Sequence, residues 1–315
     1  MSLYQKYRPK TLRELHGNRL LVESLGLMLD EPEKMPHAVL LTGPSGCGKT
    51  TIGRIIRDAL GCGEYDYTEM DSAGFEGGVE TIRELRRKMS LRPISGPVRV
   101  YLLDEIHMLG TGGDSAKNAA QNALLKALEE TPKHVYFILC TTDPQRLLKT
   151  VRNRCMQFSV TPLSERQMIG LLNEILGAEG KSGAVSEEVL RLICRESLGS
   201  PRTAINALQK VMDLDQRQQG RAVEKAIADE NETIELCRAL IAGRDWSEMR
   251  TILKGLQEQE PESVRRAVLG YCNSVLLGED SARAAAIIRE FQYPVYDSGW
   301  PALTAACYMI TEMSK

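Results

Sequence analysis

Several things this sequence lacks narrow its reading. It has no C-x-x-C pair: the eight cysteines, Cys47, Cys62, Cys140, Cys155, Cys194, Cys237, Cys272 and Cys307, are scattered singly. That spacing argues against a zinc module and a disulfide framework, and points to a reducing, cytoplasmic compartment. It has no run of about 18 apolar residues, so no membrane span is expected. The opening MSLYQKYRPK has no apolar core of the kind a secretory signal needs. Positive charge is not in excess: 40 Lys and Arg stand against 42 Asp and Glu, a formal net charge of −2. Any nucleic-acid surface must therefore be local. There is no internal repeat or low-complexity tract. What is there is a chain of 315 residues, 43% hydrophobic and 26% charged. That is the composition of a globular protein long enough for two or three domains.

Three short apolar runs, 38–42 (AVLLT), 98–103 (VRVYLL) and 136–141 (YFILCT), read as buried strands of a parallel sheet. Helical periodicity lies between and beside them, over 51–60, 78–89 and 116–130; in the last, Ala120, Ala123, Leu124, Ala127 and Leu128 recur at spacings of three and four. Strands alternating with helices predict an α/β domain with helices on both sheet faces. After Pro162 the pattern is helical to the end, with a polar, glycine-containing break at 214–222. The boundaries predicted are 1–160, 161–222 and 223–315.

Residues 43–50, GPSGCGKT, match G-x-x-x-x-G-K-[ST], with a strand before and a helix after. Backbone N–H groups of Pro44, Ser45, Gly46, Cys47 and Gly48, less the missing one of proline, can surround phosphates, and the helix opened by Lys49, Thr50 and Thr51 adds partial positive charge. Lys49 can reach the β- and γ-phosphates of ATP, and Thr50 can bind Mg²⁺. The second strand ends in Asp104, a further Mg²⁺ holder, and Glu105, a base for the attacking water; the plain alternative is a strand end with solvated acids. The third strand ends in Thr142, the candidate for positioning that water, or a simple turn residue.

With these parts placed, the chain resembles the clamp loader branch of the AAA+ ATPases, over KYRP at 6–9 through GSPR at 199–202. The stretches that carry the resemblance are KYRPKTLRELHGN, PHAVLLTGPSGCGKTT, VYLLDEIHML with NALLKALEETPKHVYFILCTTDP, and RNRC. DEIHML and NALLKALEE are most similar to the gamma/tau branch of the bacterial loaders. The resemblance implies a RecA-like AAA+ P-loop domain with a parallel sheet, a small helical lid and an all-α collar. It implies an ATP-hydrolysing motor subunit that works with a sliding clamp, primer-template DNA and other loader subunits in a pentameric ring.

It also implies roles for single residues. Arg154, in N-R-C where the family has S-R-C, takes the place of the arginine that reaches the neighbouring subunit's ATP in trans. Arg202, in GSPRTAINAL, matches the second sensor, which touches phosphate in cis. Tyr7, Arg8 and Pro9 match adenine and ribose contacts. The helix 77–89 carries Arg83, Arg86 and Arg87 where the family tracks the DNA backbone, although an ordinary charged helix face reads the same. In the loop that follows, Met89, Leu91 and Ile94 are either clamp-facing or core. Trp246 and Trp300 read as packing anchors of the collar.

The chain departs from the gamma/tau branch in two ways. It has no four-cysteine zinc module after the P-loop helix, and in this it is similar to phage loaders and the small subunits of replication factor C. It also carries extra residues at 110–120, GTGGDSAKNAA, whose glycines predict a mobile loop. Two other readings stay open. One is another AAA+ DNA-processing ATPase, such as a branch-migration helicase or an initiator. The other is a loader subunit that binds nucleotide without turning it over.

Overall fold

Five parallel strands form the centre of the computed structural model, which describes residues 2–71, 78–109, 114–228, 232–278, 280–296 and 298–312. The strands are β1 (Ala38–Thr42), β2 (Tyr67–Asp71), β3 (Arg99–Asp104), β4 (Val135–Thr141) and β5 (Met156–Ser159). Their order across the sheet is β2-β3-β4-β1-β5. Leu40 of β1 pairs with Leu139 of β4 on one side and Gln157 of β5 on the other. Leu102 of β3 pairs with Ile138. The three apolar runs are thus the inner strands, and β2 and β5 are the edges.

Alternation along the inner strands splits the core in two. Ala38, Leu40, Tyr101, Leu103, Phe137 and Leu139 face α4 (Gly78–Met89) and α5 (Asp114–Glu129), which contribute Ile82, Leu85, Met89, Leu124 and Leu128. Val39, Leu41, Val100, Leu102, Ile138 and Cys140 face α2 (Arg19–Asp30) and α3 (Lys49–Ala59), which contribute Leu21, Leu25, Ile52 and Ile56. A single turn, α1 (Leu3–Lys6), precedes these, and α6 (Lys149–Arg152) lies between β4 and β5.

The chain divides into two compact units, Met1–Leu171 with Ser200–Arg202, and Leu172–Gly199 with Thr203–Lys315. Beyond Ser159 the described residues form no strand. Their helices are α7 (Glu165–Ala178), α8 (Glu187–Glu196), α9 (Pro201–Val211), α10 (Gln216–Ala228), α11 (Glu232–Ala242), α12 (Trp246–Gly255), α13 (Pro261–Gly278), α14 (Ala282–Glu290) and α15 (Gly299–Glu312). Trp246 packs edge-on against Tyr308, with centroids 5.0 Å apart. The Trp300 indole donates to the carbonyl of Gln259.

Two local expectations change. The polar stretch 214–222 is not a break: it is helical from Gln216, and the helix runs on to Ala228. Gln219 is fully buried there, its amide donating to the carbonyls of Ala184 and Leu214, so polarity here marks an internal hydrogen bond and not a linker. In the extra segment, residues 110–113 lie outside the described residues, but from Asp114 onward it is the start of α5. Ala116, Ala119 and Ala120 favour helix there. All eight cysteines are free, and seven are buried. Among the described residues no helix is long and apolar enough to cross a membrane.

Candidate active site

Parallel strands all end on the same edge of a sheet, and ligands of such folds sit outside those carboxyl ends. At this edge β1 runs into the glycine loop, β3 ends in Asp104 and β4 ends in Thr141. The loop needs glycine in two distinct ways. A Cβ at Gly43 would come within 2.1 Å of the Val160 carbonyl oxygen, so the loop's entry packs backbone against backbone. Gly46 has φ +73° and would place a Cβ 2.3 Å from Ser200 Oγ, a left-handed turn that other residues adopt only with strain.

The loop and the strand ends form an open cleft lined by Tyr4, Ser45, Gly46, Gly48, Lys49, Thr50, Thr51, Asp104, Glu105 and Arg202. Lys49 is buried, its ammonium donating to the carbonyls of Gly43 (2.8 Å) and Pro44 (3.0 Å). The Thr50 hydroxyl donates to Asp104 Oδ2 at 2.5 Å, which brings one hydroxyl and one carboxylate to a single point, as a magnesium site requires. Cys47, within the loop, packs its side chain into the core, and burial pushes its thiol up to about 11, so it acts as core and not as a nucleophile.

Glu105 is held from several sides. Its backbone is left-handed, φ 43° and ψ 46°, and its N–H donates to Asp104 Oδ1. Its Oε2 accepts from the Thr142 amide (3.2 Å) and hydroxyl (3.0 Å). His107 Nδ1 lies 3.3 Å from the same oxygen and 3.0 Å from Thr141 Oγ1. Thr142 therefore meets the cleft through Glu105. His107 is a residue that the sequence reading missed; its only signal was its place two residues after the acidic pair.

The other predicted residues divide. Arg202 lines the cleft, and Arg8 reaches it through Tyr4, which accepts from both. Tyr7 and Pro9 do not line it, and neither do Pro44 and Cys47 as side chains. Tyr4 was missed, because nothing in a lone tyrosine announces an arginine 198 positions away. Arg154 lies outside the cleft, 54% exposed and 2.6 Å from Glu129. Arg83, Arg86 and Arg87 are exposed on α4, opposite the buried Ile82, Leu85 and Met89. Arg83 pairs with Glu80, and Arg86 forms a two-pronged pair with Glu130, the residue that follows α5. Met89 is the last residue of α4 and part of the core, whereas Leu91 and Ile94 in the loop after it are 60% and 81% exposed.

Comparison with known proteins fits this geometry. The family model of the DNA polymerase III delta subunit matches residues 65–164. The gamma/tau subunit of Mycobacterium tuberculosis is 35% identical over 235 residues, 67% of this chain and 39% of the relative. The gamma subunit of Buchnera aphidicola is 35% identical over 235 residues, 67% of this chain and 61% of the relative. The tau subunit of Escherichia coli is 32% identical over 265 residues, 76% of this chain and 39% of the relative. The chain thus spans less than two thirds of the length of these relatives. Among solved structures, a variant of Thermotoga maritima RuvB superposes with a TM-score of 0.61 at 19% identity, covering 92% of this chain and all of that one. A second RuvB structure, described as a Holliday junction branch migration motor, gives 0.56 at 22% identity over 88% of this chain and 90% of that one. At such identities the likeness concerns fold, and it makes the sheet domain RecA-like, of the AAA+ type. Taken with the sequence relatives, it follows that the chain belongs to the family of the DNA polymerase III gamma/tau clamp loader subunits.

Proposed function

We propose that this chain is an ATP-hydrolysing motor subunit of a sliding-clamp loader. It would act with a clamp, primer-template DNA and other subunits in a pentameric ring. The observation that carries the reading is the meeting of Thr50, Asp104, Glu105 and Thr142 beside the Lys49 loop. These residues supply a metal holder, a base and an orienting group within hydrogen-bond distance of one another. A nucleotide polyphosphate fits the loop's backbone, and Mg²⁺ fits Thr50 with Asp104, where it would neutralise charge on the phosphates.

In the reaction, Lys49 and the loop N–H groups hold the phosphates. Glu105 accepts a proton from the water that attacks the γ-phosphorus, while the bond from that phosphorus to the bridging oxygen breaks and ADP leaves. Thr142 keeps the Glu105 carboxylate aimed, and Arg202 contacts phosphate in cis. Arg154 enters a neighbouring subunit's site, where such an arginine contributes about 10³–10⁵ in rate. The exposure of Arg154 and its distance from its own cleft support a role in trans. Arg83 and Arg87 are proposed to follow the DNA backbone, Leu91 and Ile94 to meet the clamp, and the helices after residue 161 to form the lid and collar. The purely helical character of the described residues after Ser159 favours this reading over a branch-migration motor, whose C-terminal DNA-binding domain needs a β-hairpin.

The test is a mixture. Lys49→Ala and Arg154→Ala, each inactive in DNA-stimulated ATP hydrolysis, should regain activity together, because each supplies what the other lacks. Full activity of Arg154→Ala alone would remove the ring mechanism.

A further inference from the structure

Tyr4 holds an arrangement that the reading above does not use. Its hydroxyl accepts from Arg8 Nη2 at 3.0 Å and from Arg202 Nη2 at 3.3 Å. Both guanidinium carbons lie 5.0 Å from the centre of its ring. Two cations brought to one tyrosine repel each other, and the ring's negative face only partly offsets this. The arrangement is therefore complete only with an anion beside it. The hydroxyl has two acceptor positions and one proton. The two arginines use both acceptor positions, so the proton is left to donate elsewhere, and Tyr4 lines the cleft. Arg8 adds a second sign, because its Nε is buried and makes no hydrogen bond, an omission that a finished structure rarely tolerates.

We propose that Tyr4 is a nucleotide-positioning residue: it gathers Arg8 and Arg202 into one anion-receiving trio and donates its own proton to an oxygen of the bound polyphosphate. The proposal rests on the reading of the cleft as an ATP site, and it specifies how that site separates triphosphate from diphosphate. Arg202 held by Tyr4 is set for the terminal phosphate before that phosphate arrives, so part of the ordering cost is met in advance. The short helix that carries Tyr4 thereby becomes part of the phosphate site.

The experiment measures equilibrium binding of ATPγS and of ADP, both with Mg²⁺, to the full chain by calorimetry. Tyr4→Phe keeps the ring and removes the hydroxyl. It should weaken ATPγS binding by about tenfold, the loss expected of a hydrogen bond to a charged group, and ADP binding by much less. The double variant Tyr4→Phe with Arg202→Ala should lose less ATPγS binding than the two single losses combined, because part of the tyrosine's effect runs through that arginine. The ATPγS-to-ADP ratio is unaffected by any change in the folded fraction, since both ligands bind the same folded chain. A Tyr4→Phe chain that binds both nucleotides as before, or loses both by the same factor, overturns the proposal, and so does full additivity with Arg202→Ala. Lys49→Ala separates the two levels. If it loses ATPγS binding while Tyr4→Phe does not, the role of Tyr4 alone is wrong. If Lys49→Ala binds as before, the ATP site itself is misplaced and the proposal falls with it.

Discussion

Strand β3 begins and ends with charge, and its two ends behave differently. At its start Arg99 is buried, with Asp66 beside it, and the pair is closed. Asp66 accepts from the backbone of Ile94 and Ser95, from the Ser95 hydroxyl and from Arg99. Arg99 also donates to the carbonyls of Lys88, Leu91 and Arg92. At its end Asp104 and Glu105 stay half-buried beside a cleft, held by hydroxyls and amides that leave carboxylate lone pairs for a ligand. The same strand thus closes its charge into the architecture at one end and leaves it open to a ligand at the other. Being ionised and partly buried does not by itself mark a functional group; unused bonding capacity facing a cleft does.

Four experiments test this contrast. The largest effect is expected at the open end. Glu105→Gln should lower the rate of ATP turnover by about 10²–10⁴, the range for loss of a positioned base, while nucleotide still binds. A smaller loss would move the base elsewhere. At the closed end, Arg99→Ala leaves Asp66 buried without its cation and should cost about 3–5 kcal/mol in denaturant unfolding. The turnover of the folded fraction should be unchanged, and a loss of turnover there would blur the division.

A third check uses pH. Burial alone would raise the Asp66 carboxyl, but the N–H groups of Ser95 and Ile94, with Arg99 beside them, outweigh it and hold it down to about 2. A depressed carboxyl stabilises the fold fully above the ordinary aspartate value of about 4, and this stabilisation fades as pH falls through about 2. Stability in acid should therefore drop over that window in the unaltered chain and show a smaller slope in Asp66→Asn. The smallest effect belongs to an exposed pair. Arg86→Ala, which breaks the contact with Glu130, should change stability by about 1 kcal/mol or less. If Arg86 also meets DNA, the salt dependence of binding should fall by about one unit of slope.

The contrast between the ends also explains what could be read from the sequence. β1, β3 and β4 are covered on both faces, so each is an unbroken apolar run. β2 and β5 are the edges: no residue of β2 is buried, and three of the four residues of β5 are exposed. An edge strand that buries little leaves no periodic trace, and both were passed over. The helix α2 was missed for a related reason, since Leu20 and Leu27 are 83% and 73% exposed and blur its apolar stripe. In the site, the loop and the acidic pair were legible because neighbouring residues supply their chemistry. Tyr4 and His107 were not, because their partners are brought to them only by folding: Arg202 lies almost two hundred positions from Tyr4, and Thr141 lies 34 from His107.

The left-handed backbone at Glu105 has a consequence for how this chain could lose its activity. A side chain at φ 43° is held against a steric preference of about 1–2 kcal/mol, and glycine at the same place would relax it. The substitution expected to end turnover is thus one that relaxes the backbone at this position, although it leaves the Thr142 amide and hydroxyl without their acceptor. A copy of this chain released from the need to hydrolyse ATP would drift towards glycine or asparagine at 105 while its core stayed intact. Relief of the backbone would therefore act against the base proposed at 105, and selection for turnover would be what keeps glutamate there.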